Sequence, residues 1–141
     1  CRWAPSLGTL EGTHQQVWGT KDYIWRKHRN KPCVFFGMYD LRDYLALWQH
    51  KGKAWVLWAG SDIRNLRSNF IFNDGKLKWL SILFASLGIN FKDFLVKNFL
   101  NKAEHWVENE AEAWQIKDMG VKVSGICPSF MGKIKWEKIR K

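Results

Sequence analysis

Residues 53–62 read KAWVLWAGSD, and the fold turns on how that stretch is read. Trp55, Val56, Leu57, Trp58 and Ala59 form an apolar run with no alternation, the pattern of a strand buried on both faces. The run stops at Gly60, Ser61 and Asp62. In open α/β sheets ligands bind outside the carboxyl ends of the strands, where loops vary freely and helix N-termini offer amides. Function is therefore sought first at Gly60–Ser61–Asp62.

Upstream, CVFFGM (33–38) is a second short apolar run, followed by Asp40 as a helix cap. Leu41, Tyr44, Leu45 and Trp48 then recur at i, i+3, i+4, i+7, and Gly52 supplies a stop, so the pattern predicts a helix over 40–51 with those four residues inward. Strand, helix and strand in about 30 residues form a βαβ unit, whose right-handed crossover makes the strands parallel. Thr13 is expected to cap a helix over 13–27 with Val17, Trp18, Ile24 and Trp25 inward. In 1–12 the strand signal is faint, and GTLEGTH (8–14) reads as a weak Gly-rich loop.

Downstream, a helix is expected over 77–87, with Leu77, Leu80, Phe84 and Leu87 along one face, and a second short helix follows from Phe91. AEHWV (103–107) is a third strand candidate. Asn109 and Glu112 have capping-box spacing at the start of a helix ending at Gly120, and VKVSGIC (121–127) is a fourth strand. Strands alternating with helices imply one α/β domain, a Rossmann-like three-layer arrangement with a mostly parallel sheet flanked by helices.

The 141 residues suit a single domain. Lys and Arg outnumber Asp and Glu 23 to 13, giving a formal charge of +10 that favours anionic partners. Ten Trp and nine Phe point to an aromatic-rich core. With most rings assigned to buried faces and the basic residues scattered, a nucleic-acid partner is disfavoured. Cys1, Cys33 and Cys127 are odd in number and lack CxxC spacing, which suggests neither a disulfide framework nor a metal site and fits a reducing, cytoplasmic compartment. Histidines lack metal-ligand spacing, and neither a Walker loop nor a Ser/His/Asp arrangement is visible, which removes the P-loop and simple hydrolase readings.

Four loops should converge at the carboxyl edge: Tyr39–Asp40, Gly60–Ser61–Asp62, Glu108–Asn109–Glu110, and Ser129 after Pro128. The plain reading of Asp40 and Asn109 is helix capping, worth about 1 kcal/mol each. His14, just after the Gly-rich loop, is a candidate general base, weighed against the more common structural or exposed histidine.

WVLWAGSDI (55–63), followed some 40 residues later by AEHWVENEAEAWQIKDMGVKVSGICPSFMG (103–132), resembles the N-terminal domain of GT-B type glycosyltransferases, built from two facing Rossmann-like domains. GTLEGTH (8–14) would match that family's Gly-rich loop, and FFGMYD (35–40) the strand before its first long crossover helix. The resemblance implies a domain over 1–132, with 133–141 the start of a linker or tail. It implies that Gly12, Tyr39, Asp40, Gly60, Ser61, Glu108, Asn109 and Ser129 line the acceptor side of a cleft, and that His14 and Asp62 are the catalytic candidates. It implies no bound cofactor or metal, the nucleotide-sugar being a substrate gripped mainly by a C-terminal donor-binding domain absent from this chain. The acceptor would be a sugar or lipid-linked group. Together with the charge, this makes an anionic membrane surface a candidate partner and the chain a peripheral one. Alternatives are a non-catalytic α/β ligand-binding module and, less favoured, a basic nucleic-acid-binding domain.

Overall fold

The computed structural model of the chain describes residues 1–5, 19, 21–68 and 78–127. Gly12, His14, Ser129 and residues 13–18 and 20 of the helix expected over 13–27 lie outside these residues; of the described remainder, 21–24 are not helical and the helix begins only at Trp25. The strands are β1 (Arg2–Trp3), β2 (Cys33–Phe36), β3 (Ala54–Leu57), β4 (Glu104–Val107) and β5 (Val123–Ile126). They form one sheet in the order β1-β2-β3-β4-β5, every pairing parallel. The helices are α1 (Trp25–His28), α2 (Leu41–Gln49), α3 (Ser61–Arg67), α4 (Lys78–Ser86), α5 (Phe91–Leu95) and α6 (Glu110–Asp118), and a π-helical turn, Val96–Leu100, prolongs α5. The chain is thus a single Rossmann-like α/β domain with a parallel sheet flanked by helices. Its described strands follow chain order, without the reversal that opens a switch-point crevice in doubly wound sheets.

Register sets Phe35, Val56 and His105 side by side, with Val123 beyond them. Period-2 alternation puts Cys33, Ala54 and Val107 on that same face. Tyr44 and Leu47 of α2, Ile63 and Leu66 of α3, Leu95, Val96, Phe99 and Leu100 around the π turn, and Ala113 and Ile116 of α6 close over it as one core. Each fully buried large side chain there contributes about 1.5–3 kcal/mol. Phe36 and Leu57 fall on the opposite face and are also buried, whereas Val34, Trp55 and Trp106 on that face are half-buried.

Several expected faces are displaced. α2 buries Asp43, Tyr44 and Leu47 instead of Leu41, Tyr44, Leu45 and Trp48. Trp48 is 54 % exposed and lies flat against Phe99 at the rim, 6.0 Å between ring centroids. α2 also ends at Gln49, before Gly52. Gly52 has a different task, since a Cβ there would collide with the backbone of Asn30 and Lys31; it permits close approach of two loops. Ile24 and Trp25, expected inward, are exposed, and Ile24 is the extended residue before α1. Trp79 and Leu87 on and after α4 and Trp114 on α6 are exposed as well. The aromatic-rich core is thus only partly realised, with Trp58 its one fully buried tryptophan among the described residues.

Candidate functional site

The carboxyl ends of β2, β3 and β4 deliver their loops to one edge, and two buried carboxylates fix them there. Asp62, in the first turn of α3, accepts Met38 N–H at 2.9 Å on Oδ2, and Ala59 N–H at 3.0 Å and Ile63 N–H at 2.9 Å on Oδ1. It ties the loop after β2 to the loop after β3. Burial pushes its carboxyl up to about 7, with the backbone N–H donors pulling the other way. The side chain is fully buried, so Asp62 shapes the edge without facing it. α3 begins at Ser61, with Gly60 as its N-cap residue.

Asp43 does the same work one loop away. Its Oδ2 accepts Tyr39 N–H at 2.8 Å and Asp40 N–H at 3.0 Å, and its Oδ1 pairs with the Arg2 guanidinium, linking β1 to the start of α2. Asp40 is a true N-cap, accepting from Arg42 N–H and Asp43 N–H and completing a capping box with Asp43. Burial opposes ionisation of Asp40, but the side-chain and backbone hydrogen bonds of Arg42 hold its carboxyl below the ordinary value. Tyr39 places its hydroxyl 2.6 Å from Ser61 Oγ, and burial raises its pKa.

On the other flank, Asn109 caps α6 by accepting Glu112 N–H at 3.0 Å. The reciprocal half of the expected capping box is displaced: Glu112 Oε2 accepts the N–H of Glu108, at 3.0 Å, one residue before the cap. The other oxygen, Oε1, lies 2.7 Å from where a Cβ on Gly60 would stand. Gly60 has φ +79°, a conformation that favours glycine. Ser61 and Glu108 therefore belong to one edge of the molecule, joined through Glu112.

Between the starts of α3 and α6 this leaves an open cleft of about 380 Å³, lined by Ala59, Gly60, Ser61, Arg64, Asn109, Ala111, Glu112 and Gln115. Of the expected site residues, Gly60, Ser61 and Asn109 line it. Tyr39 reaches it through Ser61, Asp62 lies behind it, Glu108 supports Glu112, and Asp40 is occupied in capping. Arg64, Glu112 and Gln115 were not anticipated as cleft residues. The signal for them is the helix period: Arg64 follows Ser61 by three, and Glu112 and Gln115 follow Asn109 by three and six. A roomier opening of about 630 Å³ between α6 and β5 is lined by Trp114, Ile126 and Val123 among others, but the strand-end loops do not meet there.

The cleft mixes a hydroxyl, a guanidinium, a carboxylate and two amides, a set able to donate and accept towards a polar ligand. Among the described residues no group of His, Cys, Asp and Glu could hold a metal ion. No family model, characterised protein or solved structure matches the chain.

Proposed function

We propose that this chain is an α/β ligand-binding domain whose cleft between the starts of α3 and α6 takes a small, hydroxyl-rich ligand. One observation carries the reading. Ser61, Arg64, Asn109, Glu112 and Gln115 line a single opening on backbone anchored by Asp62 and by the N-H bond to Glu112. Hydroxyl groups both donate and accept, so planar amides and carboxylates, which present fixed lone pairs and N–H groups, suit them better than a purely cationic or apolar lining would.

A second reading is the acceptor half of a sugar transferase. What supports it is that the cleft opens directly after the GSD of β3, where the resemblance of 55–63 puts the acceptor. In that reading Ser61 and Asn109 contact a sugar or lipid-linked acceptor, a second domain brings the nucleotide-sugar, and Asp62 and His14 remain the catalytic candidates. The sequential strand order and the enclosed position of Asp62 favour the binding reading.

Titration of the isotopically labelled chain with neutral mono- and disaccharides, followed by amide chemical shifts, tests both. Binding is expected to move Ser61, Arg64 and Glu112 together, and Gln115→Ala to weaken it about fivefold to tenfold, the loss of one hydrogen bond. Absence of shifts with every hydroxylated ligand, or shifts confined to the α6/β5 opening, would overturn the proposal. Release of nucleotide from a nucleotide-sugar when the acceptor is present would select the transferase reading over simple binding.

A further inference from the structure

Among the described residues α4 packs chiefly on α5. Phe84 packs against Phe91 at 4.6 Å and Phe94 at 5.3 Å between ring centroids. The opposite side, with the turn that follows, leaves Trp79 61 %, Ile82 61 %, Leu83 46 %, Leu87 64 % and Ile89 42 % exposed. Five large apolar side chains on nine helical residues and the next turn form a contiguous patch of the kind that marks an interaction surface. Positive charge prevails in this part of the chain: over 78–100 the ionisable residues are Lys78, Lys92 and Lys97 against Asp93, with Lys78, Lys97 and Asp93 exposed and Lys92 half-buried.

No single described helix is long and apolar enough to cross a membrane; Lys78–Ser86 and Phe91–Leu100 together have the length and composition, but they meet at 96°. At 1.5 Å per residue, the nine residues of α4 span only about 14 Å, against roughly 30 Å of hydrocarbon. A described helix of that length suits a position along an interface. An exposed apolar face with a tryptophan near one end, lysines beside it and a net charge of +10 on the chain complements a surface that is oily below and anionic above.

We propose that the outward face of α4 docks on an anionic lipid bilayer, with Trp79, Ile82, Leu83 and Leu87 in the headgroup boundary and the lysines against acidic headgroups. The inference stands apart from the cleft, and neither requires the other.

Co-sedimentation of the chain with vesicles of phosphatidylcholine alone, and of phosphatidylcholine with phosphatidylserine, tests it. Binding is expected only with phosphatidylserine, and it should weaken as salt is raised. Ile82→Asp with Leu83→Asp should lower it by about tenfold or more. Lys78→Glu with Lys97→Glu should remove the phosphatidylserine preference. All these positions are exposed, and circular dichroism checks that each variant is folded; Ile82→Ser serves if the aspartates unravel the helix. No binding, equal binding to both vesicles, or indifference to the Ile82 variants would overturn the proposal. So would self-association of the free chain that the same variants abolish, which would assign the face to a second copy.

Discussion

Asp62 shows how one side chain can settle the geometry of a cleft it never touches. Its Oδ2 takes the Met38 N–H from the loop after β2, while Oδ1 takes two N–H groups around the start of α3. Replacing it by asparagine leaves one acceptor oxygen and turns the other position into an N–H donor. Turned its better way, the amide keeps Ala59 and Ile63 and sets its NH2 against the Met38 N–H. Asp62→Asn is therefore expected to cost about 1–3 kcal/mol, read as a lower denaturant midpoint. Amide exchange should quicken at Met38 more than at Ala59 or Ile63. Equal stability of the two proteins would show that the tie between the loops is not needed. Placing Asp62 at a strand end required only the GSD that closes the apolar run. Its burial did not show in the sequence, because the donors that saturate it come from 24 residues away as well as from its own turn.

At the scale of elements, the start of α2 is the most interdependent piece. Asp43 stands in the first turn, is fully buried, and joins three things: the helix cap, the Tyr39–Asp40 backbone and Arg2 of β1. Asp43→Ala strands the mostly buried guanidinium of Arg2 and leaves two backbone N–H groups without their acceptor. Breaking a buried pair by removing one member costs about 3–5 kcal/mol. The variant is expected to lose that much, with β1 released from the sheet and protection lost first at Ala4, whose N–H bonds to Phe36 O. A loss under about 1 kcal/mol would place the pair in the class of weak surface bridges. The apolar runs of β2 and β3 and the cap at Asp40 were legible, because each is carried by neighbouring residues. The inward face of α2 was not. It is set by Asp43 reaching β1 and by Trp48 resting on Phe99, contacts spanning 41 and 51 residues, and the expected periodicity puts Leu45 and Trp48 inward, each one position past the buried Tyr44 and Leu47. Gly12, His14 and Ser129 lie outside the described residues.

Across the whole molecule, buried ionisable groups pull stability in opposite directions with pH. His105 is enclosed between Trp58 and the π turn. The indole Nε1–H can only donate, to Nδ1 at 3.1 Å, so the proton sits on Nε2, which donates to Leu100 O at 2.8 Å. Burial lowers the pKa of His105 and also that of His50. A histidine whose folded pKa lies below its unfolded value, 6.5, contributes stability that is present above 6.5 and lost as pH falls through the folded pKa. Asp62 has the opposite sign. With its pKa raised from 3.8 to about 7, its contribution is present below 3.8 and is lost as pH rises through about 7. Acidification from about pH 7 to about pH 5 therefore costs stability through the histidines and restores it through Asp62. The unaltered chain should show a shallow profile of unfolding free energy over that window, and Asp62→Asn, which removes the opposing group, a steeper decline towards acid. Nitrogen chemical shifts of His105 should keep the Nε2–H neutral form throughout most of the window. Parallel profiles would mean that the three N–H donors outweigh burial and hold Asp62 ionised, in which case the edge of the sheet carries a buried negative charge behind the cleft at every pH where the domain is folded.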